Sequence, residues 1–315
     1  TAQYYFEISG GGESCLYNKY GVQEKRNPEY DFQIVPGFQT PDWAKGAVMY
    51  QIFVDRFCNG DKTNDVETGE YIYIGKPVQH VDDWSRKPQN MDVREFYGGD
   101  LQGIIDKLDY LQKLGVEVIY CNPLFVSPSN HKYDTQDYDW IDPHIGRVVI
   151  DGEGKPRPGE TDNRHADKYR IRTTNKQNLE ASNQLFIKMV DEIHRRGMRI
   201  ILDGVFNHCG SFHKWLDREL IYQYAEGYET GAYVAKESPY RNYFIFGNED
   251  ASNWPYNGSY KGWWNHNTLP KLNYEGSKEL EEYILEIAKK WLLPPYNIDG
   301  WRLDVAADLG QSKEY

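Results

Sequence analysis

Cysteine is scarce in this chain: four residues in 315, at Cys15, Cys58, Cys121 and Cys209. None forms a C-x-x-C pair or a zinc-like spacing, so they read as free thiols. Long apolar runs are missing too. No stretch approaches the roughly 18–20 apolar residues of a membrane helix, and no membrane-spanning segment is expected. Basic charge is the third shortage, with 36 Lys and Arg against 48 Asp and Glu and a net charge of −12. Nucleic acid or an anionic bilayer calls for a basic face, so neither is expected as a partner. Aromatic residues, by contrast, are abundant, at 26 Tyr, 9 Trp and 12 Phe, and Trp43, Trp84, Trp140, Trp254, Trp263 and Trp264 all fall in polar stretches. Flat rings with a polar tip suit partly wet surfaces that meet amphipathic ligands, sugar faces among them.

A chain of this length can hold one barrel or two ordinary domains. Residues 1–40 alternate in strand fashion at 4–8, 16–17 and 32–35 around a glycine-rich turn, Ser9-Gly-Gly-Gly12, and end in a linker marked by Pro36-Gly37 and Pro41. Two or three strands alone are marginal in water, so they read as the tail of an N-terminal β-sandwich. From Ala47 the rhythm changes to strand, loop, helix. Buried strands are expected at 48–54, 116–120, 199–203 and 298–305. Helices are expected at 101–114, 179–196 and 277–293, the first two closed by Gly115 and Gly197. Residues 149–173, rich in Gly, Pro and charge, read as an exposed loop. Helices alternating with single strands imply parallel β/α units. The expected class is α/β, a (β/α)8 TIM barrel represented by about its first four units, since a whole barrel usually needs about 250 residues. Residues 41–208 would carry strands one to three, 209–275 an inserted lid domain, and 276–315 the third helix and fourth strand. On this reading the chain is shortened at both ends.

Chemistry concentrates at the strand ends. In 297–306 the apolar run is broken by Arg302 and Asp304, which share one strand face with Gly300 because residues two apart point the same way. A guanidinium beside a carboxylate favours its charged form, and a fixed, ionised carboxylate is what a nucleophile for acetal chemistry requires. An isolated R-x-D is more often a structural ion pair. Two further polar mouths follow earlier strands, Asn122-Pro123 with Ser129–Asp134, and Asp203-Gly-Val-Phe-Asn-His208. All three sit where such barrels place catalysis. A separate constellation, Asn59-Gly-Asp61-Lys-Thr-Asn64-Asp65, gathers four oxygen-bearing side chains, and Phe96–Leu101 adds Asp100 and the Gly98 carbonyl. Hard cations take six to eight oxygens in flexible geometry, although such a loop alone is more often a solvated turn.

These motifs resemble the α-amylase family (glycoside hydrolase family 13). Asp203-Gly-Val-Phe-Asn-His208 and Gly300-Trp-Arg-Leu-Asp304 resemble its third- and fourth-strand motifs, and Gly115-Val-Glu-Val-Ile-Tyr-Cys-Asn-Pro123 its second. Leu269-Pro-Lys-Leu-Asn273, Tyr17-Asn-Lys-Tyr-Gly21 and Ser127-Pro-Ser-Asn-His-Lys-Tyr-Asp-Thr135 resemble its neopullulanase, cyclomaltodextrinase and maltogenic-amylase branch. The resemblance covers essentially the whole chain. It implies a retaining glycosidase acting on α-1,4-glucans such as maltodextrins, cyclodextrins, starch or pullulan. Asp304 would be the nucleophile and Arg302 would hold it ionised and oriented. His208 would hydrogen-bond the sugar before the scissile bond, Tyr133 would stack on it, and Asp203 would support the arginine or the tyrosine.

The resemblance further implies that Asn59, Asp61, Asn64, Asp65, Gly98 and Asp100 bind a structural Ca²⁺, clamping the strand-one loop to the next helix. It also implies a general-acid Glu at strand five and a helper Asp at strand seven. Both would lie beyond Tyr315, with Glu314 a tail residue, so the chain by itself is expected not to hydrolyse glycosides. Some of the rings in the insertion (Trp215, Tyr222, Tyr224, Tyr240, Tyr243, Trp254, Trp263, Trp264), with His266, are expected to line glucose subsites. Two other readings compete: a non-catalytic glucan-binding fragment, and a metal-dependent hydrolase with Asp203 and His208 as ligands. A homodimer is allowed for a longer form, and the residues name no compartment.

Overall fold

The computed structural model describes residues 1–90, 92–223, 225–247 and 259–309. Tyr224, Trp254 and Glu314 lie outside the described residues. The chain divides into two compact units, Thr1–Ala47 and Val48–Tyr315.

In the first unit, Phe6–Gly10, Glu13–Asn18 and Gly21–Gln23 form an antiparallel sheet, and Ala2–Tyr4 pairs with Phe32–Ile34. The hairpin turns on Gly11 and Gly12 at φ of +64° and +86°, a backbone that glycine adopts without a Cβ penalty. The first strand of the hairpin therefore runs on through Gly10, where the Gly-rich stretch had suggested a turn from Ser9. Tyr4, Phe6, Tyr17 and Phe32 make ring contacts at centroid distances of 5.3–6.3 Å.

The second unit is built on four parallel strands, Met49–Ile52, Val118–Cys121, Arg199–Gly204 and Gly300–Leu303, adjacent in space in the order they occur in the chain. Among the described residues four α-helices accompany them: α1 (Leu101–Leu114), α2 (Asp167–Thr174), α3 (Lys176–Arg195) and α4 (Lys278–Leu292). Local chemistry explains their limits. Asp100 caps α1 by accepting from the Gly103 N–H at 2.6 Å, and Gly115 ends it at φ +87°. Asn175 and Ser277 cap α3 and α4 in the same way. Leu101, Ile104, Leu108 and Leu111 form one face of α1, each 0% exposed. Burying each such side chain contributes about 1.5–3 kcal/mol. That face packs in one apolar cluster with Ile119, Ile200, Leu202, Phe186 and Trp291. No helix among the described residues is long and apolar enough to cross a membrane.

Two segments differ from the sequence reading. Residues 149–173 are not simply an exposed loop: they run into α2, where Tyr169 is fully buried and Arg172 only 2% exposed. Two of their cations are tied into the fold. Arg172 donates to Asp151 at 2.9 Å, to Glu70 at 3.0 Å and to the Asp65 carbonyl at 2.8 Å, while Lys168 pairs with Asp151 and Glu67, each at 2.8 Å. The last strand is shorter than 298–305. Val305 has left the extended region at φ +40°, and Leu303, on the edge strand, is 51% exposed. The inserted stretch 209–275 is neither separated nor merged by these observations: Trp215, Leu216, Tyr243, Tyr260 and Leu272 pack in the same apolar cluster as the sheet and helices.

Candidate active site

The third strand, Arg199–Gly204, ends by delivering Asp203, whose side chain is fully buried. Parallel pairing sets Arg302 directly beside it, since Asp203 and Arg302 are register partners. Arg302 Nη1 donates to Asp203 Oδ1 and Oδ2 at 3.0 and 3.1 Å, and to Asp304 Oδ1 at 2.6 Å. One guanidinium nitrogen thus bridges both carboxylates. The Asp304 N–H donates to the Gly204 carbonyl at 3.0 Å, which holds its backbone at the strand end. Asp203 Oδ2 also accepts from the Tyr133 hydroxyl at 2.8 Å and from the Tyr120 hydroxyl.

The electrostatics follow from burial and these bonds. Burial pushes the Asp203 carboxyl above its ordinary range, and hydrogen bonds from Tyr120, Tyr133 and Arg302 pull it partly back. Burial and the hydrogen bond to Asp203 push the Tyr120 phenol up to about 12, and Tyr133 higher still, so both stay protonated donors at neutral pH. Burial works against the Arg302 charge, yet its bonds to Asp304 and Asp203 raise it above its ordinary value.

Tyr133 stands on a stiff loop. Asp134 accepts from the hydroxyls of Ser127, Ser129 and Tyr73, and buried Lys132, at φ +61°, forms an ion pair with buried Asp142 at 2.6 Å. His208 joins the site through that loop, its Nε2 lying 3.2 Å from the Tyr133 carbonyl and its Nδ1 3.2 Å from Asn207 Nδ2. The amide NH₂ of Asn207 can only donate, so Nδ1 is the acceptor and Nε2 carries the proton. Burial drives His208 down to about 4, leaving the ring neutral. Its face stacks on Trp263 at a centroid distance of 5.3 Å and 15° between planes.

The structure therefore brings together Asp203, Arg302, Asp304, Tyr133 and His208. It adds Tyr120, which the sequence reading passed over as one residue of a buried strand. Its position two residues before the Asn122-Pro123 mouth was the available signal. Of the rings in the insertion, Trp215, Tyr222 and Tyr243 are buried in packing, whereas Trp263 lies on His208 and Trp264 is 75% exposed. Asp203 and His208 do not form a metal centre. Asp203 is taken up by three donors, both His208 ring nitrogens are engaged, and among the described residues no three His, Cys, Asp or Glu side chains are placed to hold a metal.

The oxygen-rich loops form a second cluster. Asn59 Nδ2 donates to Asp65 Oδ1 at 2.8 Å, and a Cβ at Gly98, whose φ is +80°, would come within 2.2 Å of that Asp65 oxygen. The Oδ1 atoms of Asn59 and Asn64 are buried without a hydrogen-bond partner among the described residues. Burial, with Asp100 and Asp55 nearby, lifts the Asp65 carboxyl to about 6, against His80 and Asn59, which lower it. Orphaned amide oxygens and a carboxylate short of positive charge fit an oxygen-seeking cation. Asp61 and Asp100 have other partners. Asp61 accepts from the Thr63 N–H and hydroxyl at 3.0 and 2.6 Å, and Asp100 accepts from the N–H groups of Gly60, Asp61 and Gly103.

A family profile described as alpha amylase, catalytic domain, matches residues 51–149 and 177–315. Over 98% of its length the chain is 33% identical to neopullulanase 2 of Thermoactinomyces vulgaris, covering 43% of that protein. It is 32% identical over 97% of its length to an amylopullulanase of Thermoanaerobacter thermohydrosulfuricus, covering 20% of it. Among solved structures, the type III pullulan hydrolase from Thermococcus kodakarensis superposes with a TM-score of 0.61 at 29% identity, over 98% of this chain and 45% of that one. The chain thus spans between a fifth and under half of the length of these relatives.

Proposed function

Because the chain belongs to the alpha-amylase family of glycoside hydrolases, we propose that it carries the nucleophile side of a retaining α-glucan hydrolase site. The substrates are α-1,4-linked glucans: maltodextrins, cyclodextrins, starch or pullulan. Asp304 attacks the anomeric carbon, the bond from that carbon to the leaving oxygen breaks, and a glycosyl ester forms on Asp304 that water then hydrolyses. Arg302 holds the attacking carboxylate, and Asp203 holds Arg302. Tyr133 stacks on the sugar, and neutral His208 donates from Nε2 to a sugar hydroxyl in place of the Tyr133 carbonyl. The carrying observation is the single Arg302 nitrogen shared by Asp203 and Asp304, at 3.0 and 2.6 Å.

A retaining site needs a second carboxyl about 5–5.5 Å from the nucleophile to protonate the leaving oxygen. Asp203 is unsuited to that task, since its oxygens are already held by Tyr120, Tyr133 and Arg302. The family resemblance assigns the acid to a residue beyond Tyr315. This dictates the experiment. A glycosyl fluoride carries a leaving group that needs no proton, so 5-fluoro-α-glucosyl fluoride tests the nucleophile without the acid. Mass spectrometry is expected to find one glycosyl unit on Asp304 and none in Asp304→Asn. An unlabelled parent that still binds maltotriose would replace this reading with that of a glucan-binding fragment.

Calcium is proposed as a structural ion held by Asn59, Asn64, Asp65 and the Gly98 carbonyl, with Asp61 and Asp100 bracing the two loops. Bound there, it would supply positive charge to Asp65 and a partner for the two orphaned amide oxygens, and it would take no part in bond cleavage.

A further inference from the structure

Lys271 lies in the segment 269–273, and its side chain does not reach the surface: the residue is 7% exposed. The segment is stitched to the end of the third strand by backbone bonds, Cys209 N–H to the Pro270 carbonyl at 3.1 Å and Leu272 N–H to the Asn207 carbonyl at 3.2 Å. From there the Lys271 ammonium donates in two directions, to Asn207 Oδ1 and to the backbone carbonyl of Asp308. Asn207 adjoins His208, and Asp308 ends the short turn that follows Asp304.

Followed round, these contacts close a ring. Asn207 Nδ2 donates to His208 Nδ1 at 3.2 Å, the His208 face stacks on Trp263, Trp263 Nε1 donates to Asp308 Oδ2 at 3.0 Å, and the Asp308 carbonyl returns to Lys271. The turn gains from such a tie. Val305 is β-branched and sits at φ +40°, a backbone that side chains of its kind rarely adopt, and the turn's own closure is a bond from the Asp308 N–H to the Val305 carbonyl at 2.9 Å and a longer one from the Leu309 N–H to the Ala306 carbonyl at 3.4 Å.

We propose that Lys271 is a positioning residue for both sugar-facing groups. Its ammonium fixes the Asn207 amide so that His208 holds its proton on Nε2, and it anchors the turn that sets the backbone of Asp304. The inference rests on the reading of Asp304 and His208 as the reacting and sugar-binding pair. The logic at Asn207 is directional. A cation on Oδ1 forces the NH₂ toward His208, whose Nδ1 must then accept. Without the cation the amide can turn over, present Oδ1 to the ring and pull the proton to Nδ1. Nε2 would then be bare and would face the Tyr133 carbonyl, two acceptors in contact. The groups facing His208 are Asp134, Lys271, His131 and the Tyr133 carbonyl, and those facing Lys271 are Asp308, Lys261 and Glu275. Lys271 adds to the burial that lowers His208, so removing it moves the ring's titration upward.

The test needs no substrate. In ¹⁵N-histidine spectra of the whole chain, His208 is expected to show a protonated Nε2 and a bare Nδ1. Lys271→Met is expected to lose that pattern and raise the titration midpoint, whereas Lys271→Arg, which keeps a cation and its donors, retains it. A parent spectrum with Nδ1 protonated overturns the proposal whether or not Lys271→Met folds. So does an unchanged tautomer and midpoint in Lys271→Met, or an arginine variant that behaves like the methionine one. In an active form, Lys271→Met is expected to lower kcat about 10- to 100-fold with little change in KM, the signature of misplaced reacting groups. If Asp304 cannot be labelled yet the tautomer responds, the glycosidase reading falls and the brace stands. If Asp304 is labelled and the tautomer does not respond, the brace falls and the glycosidase reading stands.

Discussion

The strand-end cluster around Asp203 and the oxygen-rich cluster around Asp65 contain similar residues and solve the problem of buried charge differently. At the strand ends every carboxylate has a cationic or hydroxyl partner from the same chain: Arg302 serves two of them, and Tyr120 and Tyr133 complete Asp203. In the loops Asn59 and Asn64 keep orphaned oxygens, and Asp65 is pushed toward neutrality. An unmade buried polar contact costs about 1–3 kcal/mol. The first cluster is therefore organised by the chain itself, and the second, on the calcium proposal, is completed by a cation. A catalytic carboxylate must be in place before its ligand arrives, whereas a structural metal can finish its own site.

The sharpest way to break the comparison is at Asp304. Asp304→Asn preserves shape and removes the charge, and it is expected to cut glycosyl transfer from an activated fluoride by at least about 10³-fold. Folding should be nearly unaffected, because Arg302 keeps its bonds to Asp203. Mass spectrometry and a thermal melt together check both halves of that statement. Asp203→Ala should behave in the opposite way. It strands two phenols and half of a guanidinium in a packed site, for an expected loss of about 3 kcal/mol in urea titration. The figure is kept below that of a fully buried pair because Arg302 is partly solvated.

The loop cluster should respond to calcium where the strand-end cluster does not. At a hundredfold excess over its Kd, an ion that binds only the folded state contributes about 2.7 kcal/mol, visible as a melting temperature that rises with Ca²⁺ and falls with EDTA. Gly98→Ala, which drives a methyl group into Asp65 and Asn59, should abolish that response. A melting temperature indifferent to both calcium and chelator would remove the metal from the proposal and leave two loops with an unexplained shortage of partners.

How much of this could be read without coordinates differs by the kind of force involved. Helix α1 runs from Leu101 to Leu114, the limits read from its apolar spacing and Gly115, because cap and terminator act within a few residues of the helix they bound. The order of the four strands was legible for a similar reason, since each β/α unit repeats one local rhythm. Helix α2 was not, because Arg172 and Lys168 look like solvated charge until Asp151, Glu67 and Glu70 are brought to them from as far as 102 residues away. The acidic and basic members of the site carried a motif. Tyr120 and Lys271 lay inside quoted motifs, but nothing in those stretches showed their parts, as each owes its part to a register or a crossing that no single stretch contains.

The smallest expected effect probes why the strand-end cluster keeps its histidine uncharged. Burial holds folded His208 at about 4, against about 6.5 for an unfolded histidine. A folded value below the unfolded one means that the unfolded chain takes up the proton first as pH falls. The contribution of His208 to stability is thus fully present above about pH 6.5 and is lost progressively toward pH 4. Between about pH 7 and 5.5 the loss from this one ring amounts to roughly 1 kcal/mol. The shift in stability between those two values should differ between the parent and His208→Gln by about that amount, since the glutamine keeps hydrogen-bonding capacity and cannot titrate while the other titrating groups are common to both proteins. Equal pH dependence in the two proteins would mean that His208 is more accessible to protons than its stacking on Trp263 and its bond to the Tyr133 carbonyl allow. The ring would then be no better insulated than the loop carboxylates with which it is contrasted.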